Sequence, residues 1–205
     1  MRSSSFFTQA ERLKQKGMTL LELLIVLAIS ALLVFLAAPN FQDSFQSNRG
    51  LTSARSFADY LKLARSTAVG RGTTVTVCPV QSTGPVVCDR VTPYDWSNGW
   101  AVFVDRDKDG LVDSPDNLQK VFDSISPNVM RVVDDAGNEQ INITFDARGR
   151  SNIELDIEIC GEDTSDDTLG RSVILEASGM VALGRLNTAT NIYQDKDGAD
   201  IDCGS

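Results

Sequence analysis

Residues 17–38 read GMTLLELLIVLAISALLVFLAA and contain one charged side chain, Glu22. As a helix, the segment from Met18 to Ala38 would be about 31 Å long, which is close to the thickness of the apolar core of a bilayer. The pattern therefore predicts a transmembrane helix over residues 18–39. A carboxylate at this depth costs on the order of 3 kcal/mol, so Glu22 is expected to meet a cation.

The charges around this apolar run predict its orientation. Four basic residues precede the run, and the chain directly after it has almost none: the four are Arg2, Arg12, Lys14 and Lys16. This asymmetry places the N-terminus in the cytoplasm and the C-terminal part across the membrane. A cleaved secretory signal peptide is the alternative, but its apolar core is normally about 7 to 15 residues long. The longer run here, followed by Pro39 and a further helical pattern, favours a retained helix.

A second helical pattern follows Pro39. Apolar residues recur mostly at spacings of three or four, which predicts an amphipathic helix over residues 40–70. The chain then turns at Gly70-Arg71-Gly72, as is typical of a helix C-terminus. The apolar positions are Phe41, Phe45, Leu51, Ala54, Phe57, Leu61, Ala64 and Ala68.

Residues 73–205 change to short, often alternating runs separated by turn signals, which predicts an antiparallel sheet domain. Trp96 and Trp100 are expected to belong to its core. The predicted fold class is α+β, with a long N-terminal helix packed on antiparallel sheet. The predicted strands are residues 73–78, 100–104, 119–122, 129–133, 140–145, 153–159, 172–175 and 180–183.

Composition excludes several functions. The 205 residues include no His and carry a formal charge of −9. Histidine catalysis and histidine metal sites are therefore excluded, and no other catalytic constellation is visible, so we expect no enzyme. The acidic balance also disfavours nucleic-acid binding, because phosphate contacts need clustered positive charge.

All four cysteines follow the apolar run, on the side predicted to be exported. An even number of cysteines in an exported domain favours two disulfides, for which three connectivities are possible. We favour Cys78 with Cys88, because this bond closes a short loop, and Cys160 with Cys203, because this bond holds the tail.

An acidic loop follows the predicted strand at residues 100–104. Acids occupy its positions 1, 3, 5, 9 and 12, with Gly110 at position 6, and these are the offsets of an EF-hand calcium loop. The twelfth residue is a short Asp instead of Glu, and the flanks are strands, so an acidic surface turn remains the alternative. The candidate calcium ligands are Asp105, Asp107, Asp109, Asp113 and Asp116.

The string KGMTLLELLIV, residues 16–26, resembles the processing site of type IV pilins and type II secretion pseudopilins. The resemblance implies that residues 1–17 are a leader and that a prepilin peptidase cuts between Gly17 and Met18. It also implies N-methylation of Met18 and pairing of Glu22 with the N-terminal amine of a neighbouring subunit.

The globular part is similar to H-type pseudopilins and to FimT/FimU-type minor pilins, over residues 63–68, 72–78, 98–105 and 145–149. The resemblance implies a pilin fold and a structural subunit that primes assembly at the tip of a type IV pilus or type II secretion pseudopilus. Its expected partners are other pilins or pseudopilins and the assembly platform. Its expected location is the bacterial inner membrane, crossed once, with the C-terminal domain in the periplasm.

DNA uptake is the alternative function, because some FimT relatives bind DNA through a Gly-Arg-x-Arg motif. Met180 and Ala182 stand where the two arginines would be expected, so the motif is absent there. The remaining candidates for a basic patch are Arg148, Arg150, Arg171 and Arg185.

Overall fold

The computed structural model describes residues 18–81, 86–88, 95–113, 116–134, 136–162 and 164–204, and for residues 35–43 it describes only the backbone. The chain divides into two compact units, residues 1–41 and 42–205. The predicted leader, residues 1–17, lies outside the described part of the chain.

One helix, α1, covers Leu20–Arg71 and has 52 residues. Thr19 caps its start, because its Oγ1 accepts a hydrogen bond from the Glu22 amide at 3.2 Å. The helix ends at Gly72, whose φ of 63° is left-handed, and the Thr73 amide then bonds back to the Ala68 carbonyl at 3.1 Å. This is the glycine-terminated end that the sequence predicts.

In the first unit, every described side chain from residue 20 to residue 34 is exposed. The large apolar ones among them are between 49% (Leu23) and 77% (Leu20) exposed. Within the described residues, no helix is both long enough and apolar enough to span a membrane. The side chains of residues 35–39, the last part of the predicted span, are not among those described.

The second unit contains two four-stranded antiparallel sheets and one short hairpin. The first sheet has the order β3-β2-β1-β5 and the second the order β4-β6-β7-β8, while β9 and β10 form the hairpin. The strands are β1 Val75–Pro79, β2 Trp100–Val104, β3 Asn117–Phe122, β4 Val129–Val133, β5 Ile143–Phe145, β6 Leu155–Cys160, β7 Arg171–Leu175, β8 Val181–Leu183, β9 Leu186–Asn187 and β10 Ile192–Tyr193.

The core of the second unit forms where one face of α1 meets both sheets. Phe57 is fully buried and lies edge-on to Trp96 and Trp100, with ring centroids 5.6 Å and 4.8 Å away. Trp100 in turn stacks on Phe122 at 4.3 Å. Burying each such side chain contributes about 1.5–3 kcal/mol, and edge-to-face pairs add about 0.5–1.5 kcal/mol. The buried helix positions are Ala54, Phe57, Ala58, Leu61, Ala64 and Ala68.

The predicted α+β fold with a helix on antiparallel sheet is confirmed, and each of the eight predicted strands overlaps an observed one. Burial of the amphipathic helix begins at Gly50, however, so Phe45, which the pattern assigned to the apolar stripe, is 62% exposed. Gly50 lies close to the sheet unit: a Cβ there would lie 3.3 Å from the Leu169 carbonyl oxygen.

Two disulfides hold the second unit together, Cys78–Cys88 and Cys160–Cys203. This is the pairing favoured from the sequence. The first lies at the end of β1, and the second joins the end of β6 to the C-terminal segment that carries β9 and β10. All four cysteines are buried.

Candidate functional site

The N-terminal turn of α1 places an acid among exposed apolar side chains. Glu22 is exposed in the first turn, where the positive end of the helix dipole favours a carboxylate. Its neighbours Leu21 and Leu23 are 69% and 49% exposed. Exposed apolar surface of this extent marks a site that associates with lipid or with other proteins. Gly17, the residue before the predicted cleavage, lies outside the described residues.

The acidic loop between β2 and β3 gathers four carboxylates. One oxygen from each of Asp105, Asp107, Asp109 and Asp116 lies within 4.8 Å of the other three. Calcium binds oxygen at about 2.3–2.6 Å, so oxygens on opposite sides of one ion are about 4.6–5.2 Å apart. The spread of these four oxygens therefore fits the shell of a single calcium ion.

Strand pairing brings the two ends of this loop together. Val104 at the end of β2 pairs with Asn117 at the start of β3, so Asp105 and Asp116 lie beside the last pair of the ladder. Asp105 is 1% exposed, and its carboxylate accepts bonds from the Thr76 hydroxyl at 2.8 Å and the Gly110 amide at 3.1 Å. These contacts fix its position before any ligand binds.

Asp113 is not part of the group of four, although the loop spacing assigns it as a ligand. In an EF-hand a helix follows position 9, whereas here strand β3 begins at Asn117, and the Asp116 amide donates a hydrogen bond to the Asp113 carbonyl at 3.0 Å. Burial and then the neighbouring Asp107 and Asp109 raise the pKa of Asp113. Burial also raises the pKa of Asp116, whose Oδ2 is buried and has no hydrogen-bond partner among the described residues. A bound cation would reduce the repulsion among these neighbouring carboxylates.

One of the four arginines considered as a DNA-binding patch, Arg171, is not available to contact phosphate. Arg171 is 7% exposed, and its guanidinium donates to the carbonyls of Gly170 at 2.6 Å and Leu169 at 3.2 Å. It also lies over the Tyr193 ring at 4.5 Å. The guanidinium therefore caps a short 3₁₀ helix, Asp167–Leu169, and is not available to contact phosphate.

These features define an α+β protein of the pilin type, with a capped N-terminal helix, an acid in its first turn and two antiparallel sheets. The chain matches the family model described as type II transport protein GspH over residues 53–179, and it belongs to that family. A second model, the prokaryotic N-terminal methylation motif, matches residues 12–38. Members of this family are structural pilins or pseudopilins that assemble with others of their kind.

Solved structures that the chain resembles include two proteins with low sequence identity. The type IV minor pilin FimU of Pseudomonas aeruginosa is 19% identical, with a TM-score of 0.48 over 67% of this chain and 90% of that one. The minor pseudopilin EPSH from the type II secretion system of Vibrio cholerae is 13% identical, with a TM-score of 0.47 over 67% and 94%. No curated protein matches the chain. The family assignment therefore rests on the match over residues 53–179.

Proposed function

We propose that this chain is a minor pilin or pseudopilin subunit that inserts into the inner membrane and primes assembly at the tip of a type II pseudopilus or type IV pilus. In this proposal the prepilin peptidase removes residues 1–17, Met18 becomes the methylated N-terminus, and the assembly platform extracts the subunit. Membership of the GspH family and the methylation-motif match support it.

The position of Glu22 is the observation that carries the proposal. After cleavage before Met18, this carboxylate would lie in the first helical turn, surrounded by leucines that have no described contact. An uncompensated carboxylate in such surroundings is costly, and an N-terminal ammonium group of a neighbouring subunit would offset that cost. Apolar packing would supply the attraction between subunits, and the ion pair would set their register.

The test compares Glu22→Gln with Glu162→Gln, an exposed residue of the second unit that undergoes the same chemical change. We expect both variants to be cleaved to the mature mass and to fractionate with the membrane. Only Glu22→Gln should be lost from filaments, as measured by cross-linking to other subunits in sheared fractions. Normal incorporation of Glu22→Gln would contradict the role given to this acid.

We further propose that the acidic loop binds calcium through Asp105, Asp107, Asp109 and Asp116. The support is the fit of the four carboxylate oxygens to one coordination shell. Bound calcium would supply charge neutralisation and hold β2 and β3 at the loop. The remaining ligands would be water or backbone carbonyls, as is usual for this ion.

Calorimetric titration with calcium chloride tests this second proposal. Asp107→Asn removes one ligand, and Asp123→Asn, at an exposed aspartate after β3, is the matched control. Binding heat in the parent and in Asp123→Asn, but not in Asp107→Asn, is expected. Magnesium at the same concentration should compete poorly, because it demands a smaller octahedral shell. Absence of calcium heat in the parent protein would remove the proposal.

A further inference from the structure

The Cys78–Cys88 disulfide lies directly behind the acidic loop between β2 and β3. Cys88 Sγ is 3.6 Å from the carbonyl oxygen of Gly110, and both residues are buried. Gly110 is position 6 of the loop and follows Asp109, one of the four clustered carboxylates. Position 6 is the residue at which a loop of this spacing turns sharply around its ion. The disulfide therefore touches the loop at its turning point.

Apolar side chains extend this contact. Leu111 and Val112, which follow Gly110 in the loop, pack against the buried cluster that contains the disulfide. Burial contributes about 0.8 kcal/mol per CH₂ group, so this packing resists movement of the loop. The other members of the cluster are Cys78, Val80, Cys88, Ala101, Phe103 and Val121. The second half of the loop therefore rests on the disulfide and on the strands beside it.

Gly110 is also held from two other directions. Its amide donates to Asp105 Oδ2 at 3.1 Å, and its φ of 78° is left-handed. A Cβ at Gly110 would overlap the side-chain amide of Asn142, so the backbone here has little room to move. A shift of Cys88 would therefore be passed through Gly110 to the Asp105 carboxylate, the buried member of the group of four.

We propose that the Cys78–Cys88 disulfide regulates the calcium affinity of the acidic loop, so that the oxidised chain binds calcium more tightly than the chain with two free thiols. This inference rests on the calcium site proposed above. In the reduced chain the two sulfurs separate to a non-bonded distance, and the segment that carries Cys88 is no longer fixed to β1. Coupling between two equilibria is reciprocal, so bound calcium must favour the disulfide by the same factor.

The redox step is a thiol–disulfide exchange. A disulfide-bonded oxidant takes two electrons from the thiols of Cys78 and Cys88: the S–S bond of the chain forms, the S–S bond of the oxidant breaks, and two protons pass to the released dithiol. Disulfides persist in oxidising compartments such as the periplasm and are rare in the cytosol. In the proposed location, the loop would therefore reach its full calcium affinity only after export.

Calorimetric titration of the full chain with calcium chloride, in a non-ionic detergent, tests the proposal. Cys78→Ala/Cys88→Ala removes the disulfide behind the loop. The matched control is Cys160→Ala/Cys203→Ala, because this second disulfide belongs to a separate buried cluster with Ile201. We expect the first variant to bind calcium on the order of tenfold more weakly than the parent, and the control to bind it like the parent. Equal affinity in all three proteins, or equal weakening in both variants, would overturn the proposal.

A second measurement uses the unchanged sequence and does not depend on how the alanine variants fold. The full chain is equilibrated with reduced and oxidised dithiothreitol, with and without calcium chloride, and mass spectrometry after alkylation gives the oxidised fraction of each disulfide. Calcium should shift the Cys78–Cys88 equilibrium toward the disulfide on the order of tenfold and leave Cys160–Cys203 unchanged. A shift of both disulfides, or of neither, would overturn the proposal.

The coupling and the calcium site fail in different ways. No calcium heat in the parent would remove the site itself and the coupling with it. Calcium heat in the parent together with an unchanged redox equilibrium would leave the site and overturn only the coupling. Asp107→Asn, which removes one ligand, should abolish the effect of calcium on the Cys78–Cys88 equilibrium, and a persisting effect would contradict the role of the acidic loop.

Discussion

The two ends of α1 both carry large apolar side chains but have opposite surroundings. Leucines at 24 and 61 show the contrast: Leu24 is 57% exposed, whereas Leu61 is fully buried. Residues 54–68 bury their apolar face against two sheets of the same chain, and residues 20–34 have exposed side chains throughout. The difference supports the proposal that α1 combines a folding element and an association element. Only the association element needs something outside the chain to cover it.

The largest expected effect comes from making the same substitution at both leucines. Leu61→Ala should destabilise the second unit by about 2–5 kcal/mol, because it removes buried methyl groups and leaves a cavity. Leu24→Ala should change the same unfolding transition by less than about 0.5 kcal/mol. Urea unfolding followed by tryptophan fluorescence measures both, since Trp96 and Trp100 lie in the affected core. Similar losses for both variants would contradict the division of α1 into two roles.

Alanine substitutions at two glycines of α1 should have stability effects of intermediate size. Gly50→Ala should be less favourable than Gly70→Ala, because its Cβ would lie 3.3 Å from the Leu169 carbonyl oxygen, which would have to shift. Gly70→Ala should instead stabilise by about 0.5–1 kcal/mol, because nothing lies within 4 Å of its Cβ position. Thermal unfolding of the two variants measures the difference. A Gly50→Ala variant that gains as much stability as Gly70→Ala would contradict the close contact between α1 and Leu169.

The smallest expected effect concerns a buried acid of the second sheet. The Glu158 side chain is 14% exposed, and burial raises its pKa above the ordinary 4.5, although Arg131 opposes the shift. The folded state therefore holds the proton more tightly than the unfolded state, and stability falls as the pH rises from 4.5 through the raised pKa. Glu158→Gln should flatten this part of the curve of unfolding free energy against pH.

Asp134 provides a control of opposite sign. Hydrogen bonds from Asn138 lower the pKa of Asp134 below 3.8, so its contribution is present above 3.8 and is lost as the pH falls through the lowered pKa. Asp134→Asn should flatten the acid side of the curve only. A Glu158→Gln curve that parallels the parent curve above pH 4.5 would contradict the assignment.

Much of this fold was predictable because its signals are local. Alternation and turn residues predict the eight long strands, and helical spacing predicts the buried face of α1. The hairpin of β9 and β10 was missed because each strand has only two residues, which is too short for a pattern. Phe45 was assigned to the buried stripe because periodicity shows which face is apolar, but not where the sheets begin to cover it.

The candidate calcium site was also predictable only in part. Asp105 and Asp116 were predicted together from loop spacing, and the pairing of Val104 with Asn117 brings them together. Asp113 lies outside the group of four clustered carboxylates, and the loop spacing gives no signal for this.

The mature N-terminus is the most direct test of the central claim that the apolar start of α1 is retained as an association element. Intact mass spectrometry and N-terminal peptide sequencing of the chain purified from membranes measure it. We expect a chain that begins at Met18 and carries one N-methyl group. A chain that begins near Pro39, or one that keeps Met1, would contradict the account.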